Sequence, residues 1–142
     1  MPVVLLVVLV AALVVAAVGW VWWRGDGRMS PGSGEVLRPA EVALPDDAFG
    51  TALTALLFGS RQDERTATVR DRLEGLLAGR SGARLAEVDL TARGDLAGRY
   101  AVTRTPTVFV LDGEGRLRAR VKGAADVETL RAALATAGPR AA

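Results

Sequence analysis

Neither cysteine nor histidine occurs in the 142 residues. Their absence removes the thiolate nucleophile, disulfide exchange, the imidazole general base and the usual zinc, copper and haem ligands. No cofactor and no metal are therefore expected. Lysine is almost missing as well: Lys122 stands alone, and arginine supplies the rest of the positive charge. With 18 basic and 16 acidic residues the net charge is only +2, too balanced to point to nucleic acid. A chain without cysteine is compatible with a reducing cytoplasm, where disulfides are rare.

Charge is absent altogether from Pro2 to Trp23. As a helix that run would span about 33 Å, against roughly 30 Å for a bilayer core. Trp20, Trp22 and Trp23 cluster at its end, where aromatic rings favour the membrane interface, and Arg24 closes it. A cleaved signal peptide would want a basic start, a shorter apolar core and small residues at the cleavage site. A soluble core helix would rarely be apolar all round. Residues 1–23 are therefore expected to form a retained, single-pass transmembrane helix. No Lys or Arg precedes it, whereas Arg24, Arg28 and Arg38 follow, which favours a cytoplasmic C-terminal domain.

Residues 24–35 are rich in Gly, Ser and Pro and read as a flexible juxtamembrane linker. The folded domain is expected over residues 36–142, enough chain for one modest core. Within it, Ala52–Phe58 is a short apolar run that suits a buried strand. Val69, Leu73, Leu76 and Leu77 give a helical stripe over 63–79, with Gly79 placed to end it. Residues 84–90 read as a second strand. Thr91 would cap a short helix carrying Leu96 and Tyr100. Thr107–Leu111, a turn at 112–115 and the alternating 116–122 read as a strand hairpin. A last helix over 125–137 carries Val127, Leu130, Leu134 and Ala137 on one face, with Asp126 near its start. The order strand–helix–strand–helix–strand–strand–helix predicts an α/β fold. Its first strands should be parallel, the hairpin should form an antiparallel edge, and helices should cover both faces.

This order, with Thr105-Pro106-Thr107 leading into the third strand, resembles the thioredoxin fold. Phe58 ends a strand five residues before a helix, Val88-Asp89 ends the next, Tyr100-Ala101-Val102 precedes the proline, and Gly123-Ala124 follows the last strand. With its N-terminal anchor the chain resembles membrane-tethered thioredoxin-like proteins of bacteria. The resemblance implies a central mixed sheet with helices on both faces. It also implies a cis Thr105–Pro106 bond in a loop that presents backbone groups to an extended peptide. The family's Cys-x-x-Cys positions fall on Asp63-Glu64-Arg65-Thr66, and Leu57 replaces its buried acid. Neither the attacking nor the resolving thiol is present, so no residue is expected to be catalytic.

Asp63 and Glu64 open the helix, where acids complement the helix dipole, and Asp63 with Thr66 has the spacing of a capping pair. A catalytic carboxylate pair is the sharper alternative. Arg116, Arg118, Arg120 and Lys122 alternate along the last strand. They either guard a sheet edge against unwanted pairing or contact an anionic lipid surface or acidic partner. The resemblance without its thiols implies a membrane-anchored binding or scaffolding module, with a protein or peptide partner at Thr105-Pro106-Thr107. The alternatives are an accessory of a thiol–disulfide oxidoreductase system, redox-active only through a partner, and a domain retained for stability alone.

Overall fold

The computed structural model describes residues 1–25 and 27–138, without the side chains of residues 21–25. The expected interfacial seats of Trp22 and Trp23, and the flanking charges Arg24 and Asp26, lie outside the described residues. Helix α1 (Pro2–Gly25) runs through the charge-free segment. Its large apolar side chains from Val3 to Val18, and Trp20, stand exposed. Pro2–Trp20 is long and apolar enough to cross a membrane, and the domain buries none of it.

The segment expected as a flexible linker is not one throughout. Strand β1 (Arg28–Pro31) pairs antiparallel with the last strand, β5 (Leu117–Lys122). Val36 adds an isolated bridge to Arg116. Pro31 is tolerated because β1 lies at the sheet edge, where one row of N–H groups needs no partner. A single turn of 3₁₀ helix (Pro39–Val42) then leads toward the central strands.

Strand β2 (Leu53–Gly59), helix α2 (Glu64–Leu77) and strand β3 (Ala83–Asp89) form a parallel crossover. Helix α3 (Gly94–Arg99), strand β4 (Thr107–Asp112), β5 and helix α4 (Val127–Ala135) complete the order. Among the described residues the sheet has five strands in the order β1-β5-β4-β2-β3. As expected, the first two of these strands, β2 and β3, are parallel and the sheet is mixed, with β4 antiparallel to β2. Six-residue α3 is too short to carry the chain back along the sheet, so β4 starts at the end where β3 stops. One expectation needs correction: the hairpin is not an edge, because β1 covers the outer side of β5.

Each face of the sheet has its own core. On one side α2 and α4 bury Val69, Leu73, Leu77, Leu130, Ala133 and Leu134 against Leu57, Val108 and Val110. Each of the Val and Leu side chains contributes roughly 1.5–3 kcal/mol of transfer free energy. The expected stripe needs one change, since Val127 is 37% exposed and Ala133 takes the buried position. The other face is aromatic: Phe58, Tyr100 and Phe109 pack with Leu37, Val42 and Leu96. Phe58 and Phe109 meet edge to face at 4.7 Å, a geometry favoured by the ring quadrupoles. The β4–β5 pairing shifts between Val110 and Leu111. Leu117 consequently joins the aromatic cluster while Ala119 and Val121 join the aliphatic one.

Candidate functional site

The end of the sheet where β2 finishes and β4 begins gathers the residues singled out in the sequence. Phe58 is paired with Thr107 across the ladder. The N-terminus of α2 and the Thr105-Pro106-Thr107 loop therefore lie at this one end. The Thr105–Pro106 bond is cis. Pro106 and Thr107 are buried and Thr105 is half-buried. The Thr107 hydroxyl donates to the Arg104 carbonyl. Gly123, at φ +82°, turns its N–H onto the Pro106 carbonyl at 2.7 Å. Side chains rarely adopt that φ, which explains glycine there. Among the described residues the Thr105 N–H and C=O have no hydrogen-bond partner within the chain.

Asp63 is the N-cap of α2, and its carboxylate accepts from the Arg65 N–H at 3.0 Å. The fully buried Thr66 donates its hydroxyl to the other Asp63 oxygen at 3.3 Å and accepts a long bond from the Ser60 N–H at 3.4 Å. Ser60 in turn accepts from the Thr91 hydroxyl at 3.2 Å. Gly59 makes room for this arrangement: a Cβ there would stand 2.4 Å from the Thr66 methyl carbon. Glu64 and Arg65 are exposed in the first turn. The oxygens thus satisfy one another and the helix end. Nothing in this geometry pairs two carboxylates for acid–base work. Among the described residues, no group of three or more Asp or Glu converges as a metal site would require. Leu57 is fully buried in the aliphatic core, so its position holds no ionisable group.

Thr91 does not cap the short helix. Its N–H donates to Asp89 Oδ1 at 3.0 Å, and Arg93 precedes α3 without a side-chain cap. Ser60 was missed in the sequence. Its only signal there is the short polar stretch between the apolar strand and Asp63.

Arg116 at the turn and the three cations of β5, Arg118, Arg120 and Lys122, do not act together. Arg118 donates to Asp112 Oδ2 at 2.9 Å. Arg120 lies 4.5 Å over the Phe109 ring and donates to the Tyr100 carbonyl. Arg116 is exposed at the turn, and Lys122 is half-buried at the opposite end of the strand. Guarding a free edge is not the role of these residues, since β1 occupies that edge. Among the described residues, the Tyr100 hydroxyl and the Arg120 Nε are buried without a hydrogen-bond partner. Burial pushes the Tyr100 phenol up from its ordinary pKa. At the far end of the sheet, an open depression of about 670 Å³ is lined by Thr51, Asp112, Glu114, Arg116 and Arg118.

The profile of a family described as the thioredoxin-like domain matches residues 42–138. The chain belongs to that family. Solved structures agree with the fold. A thioredoxin mutant from Halobacterium salinarum has a TM-score of 0.55 at 18% identity, covering 65% of this chain and 80% of that one. A thioredoxin from Nicotiana alata has a TM-score of 0.53 at 17% identity, covering 63% and 76%. One from Fasciola hepatica has 0.51 at 21% identity, covering 61% and 81%. At such identities the likeness carries the fold alone. No curated protein matches the chain. The thioredoxin-like match begins at Val42, so α1 and β1 both lie before it, although β1 is hydrogen-bonded into the same sheet.

Proposed function

We propose that this thioredoxin-like chain is a membrane-anchored binding module that performs no thiol–disulfide exchange of its own. The observation that carries the reading is the start of α2. There the buried Thr66 hydroxyl and the Asp63 carboxylate close on each other, in a chain with no thiol at any position. Exchange needs a thiolate to attack and a second thiol to resolve the mixed disulfide, and a carboxylate can do neither. What remains is a half-buried Thr105 with unengaged backbone groups beside a buried proline. Extended peptides bind such groups through main-chain hydrogen bonds. Helix α1 supports the anchor, and Arg24, Arg28 and Arg38 favour a cytoplasmic domain.

The full chain in lipid nanodiscs should reduce insulin disulfides no faster than empty nanodiscs. Turnover above that control would end the reading. Stimulation of a separate thiol-bearing protein would instead support the accessory role. Protease added outside sealed right-side-out vesicles should spare the domain, and digestion there would reverse the topology.

A further inference from the structure

The sheet register links the membrane helix directly to the candidate site. One row of paired residues crosses the sheet at the site end: Arg28 with Lys122, Lys122 with Thr107, Thr107 with Phe58, and Phe58 with Val88. The Gly27 N–H donates to the Lys122 carbonyl at 2.6 Å, and Ala125, three residues beyond Lys122, lies 3.2 Å from where a Gly27 Cβ would be. Only Asp26 separates Gly27 from Gly25, the last residue of α1. Two Cα steps of about 3.8 Å bound that gap at roughly 8 Å. The Lys122–Gly123 peptide accepts from Gly27 and donates through its N–H to the Pro106 carbonyl at 2.7 Å, which keeps Gly27 and Pro106 within roughly 10 Å. The loop at Thr105 and Pro106 is therefore within roughly 20 Å of the end of the membrane helix. Had residues 24–34 been an unpaired linker, their reach would have been roughly 36 Å. Strand β1 removes that slack.

We propose that the Thr105–Pro106 end of the sheet is held against the bilayer surface, and that its occupant is an extended juxtamembrane segment of another membrane-embedded protein. This rests on the membrane-anchored binding reading above. The roughly 20 Å between this loop and the end of α1 is less than the about 30 Å diameter of even a small folded domain. An extended chain leaving a neighbouring membrane span is thin enough and already lies at that depth. Strand β1 precedes the thioredoxin-like match, so the close tether belongs to this chain's own extension.

The chain has no cysteine, so Thr105→Cys gives it a single addressable thiol. The full-length variant, labelled with a benzophenone maleimide, is reconstituted into native membrane vesicles and illuminated. Mass spectrometry should map its protein adducts within about ten residues of hydrophobic spans. A Gly-Ser insert of about twelve residues between Gly25 and Asp26 should lower that yield roughly fivefold or more, because effective concentration falls with tether length. The same label at Glu114→Cys, on the opposite end of the sheet, should not give these adducts. Adducts confined to soluble proteins or to lipid, or a yield indifferent to the insert, would overturn the proposal while leaving a binding site at Thr105 possible to pursue. The absence of any protein adduct would overturn the binding reading and this inference together.

Discussion

The two ends of the sheet each use an aspartate to organise a turn, and they do so at different strengths. At the far end, Asp112 is buried and accepts three bonds: from the Glu114 N–H at 3.0 Å, the Arg116 N–H at 2.9 Å and the Arg118 guanidinium at 2.9 Å. At the site end, half-buried Asp63 accepts from one backbone N–H and one hydroxyl, the latter at 3.3 Å. The Asp112 set is the stronger, since it has one bond more and one of its donors, the Arg118 guanidinium, is itself charged. The difference teaches where the fold keeps its stability. The hairpin end carries the ionic lock. The helix start, where the family resemblance puts its thiols, is held by a cap of the kind ordinarily worth about 1 kcal/mol.

The largest effect should come from breaking the strong end. Asp112→Ala leaves two N–H groups and a guanidinium without their acceptor and should cost about 3 kcal/mol, read as a lower urea midpoint at unchanged slope. A loss below about 1 kcal/mol would erase the contrast between the ends. The same carboxylate predicts a pH dependence. Burial acts to raise the Asp112 pKa, but its bonds from Arg116, Arg118 and Glu114 outweigh burial and hold it below the ordinary carboxylate value. A depressed folded-state pKa gives stability that is present above the unfolded value, about 3.9, and lost as pH falls through the folded one. Wild type should therefore weaken in acid more steeply than Asp112→Ala, and parallel pH profiles would count against the lock.

Asp63→Ala should cost about 1 kcal/mol, the usual worth of a helix N-cap. A value equal to that of Asp112→Ala would make the two ends equivalent. The smallest effect lies beside the aromatic core. Ala101 sits at φ +53° just after α3. A left-handed alanine costs about 1–2 kcal/mol, and glycine's extra chain freedom takes back about 0.5–1. Ala101→Gly should thus stabilise by roughly 0.5 kcal/mol, seen as a slightly higher Tm. Destabilisation would mean that the Ala101 methyl has a packing role.

What the sequence made legible follows from local physics. The period of Val69, Leu73 and Leu77 marked α2. The β-branched run at Thr107–Leu111 marked β4, and the family spacing marked Asp63, Thr66 and Pro106. What stayed hidden depends on contacts between distant segments. Arg28–Pro31 has the composition of a linker and becomes a strand only because β5, about ninety residues later in the chain, offers an open edge. Asp112 looked like turn chemistry alone, since its bond to Arg118 needs the hairpin register. The direction of β4 turned on the length of α3, and Thr91 read as a cap because the helix start was placed too early. The roles of Arg118 and Arg120 could not be seen until β1 was known to cover their strand.

We propose that residues 63–66 occupy the positions where the family resemblance puts its thiols, with an oxygen cap in place of that chemistry. The most direct measurement is the number of free thiols in full-length Asp63→Cys/Thr66→Cys after equilibration with oxidised glutathione. None should remain, an intramolecular disulfide having joined the two positions at the start of α2. Two free thiols that persist, in a protein that remains folded, would contradict it.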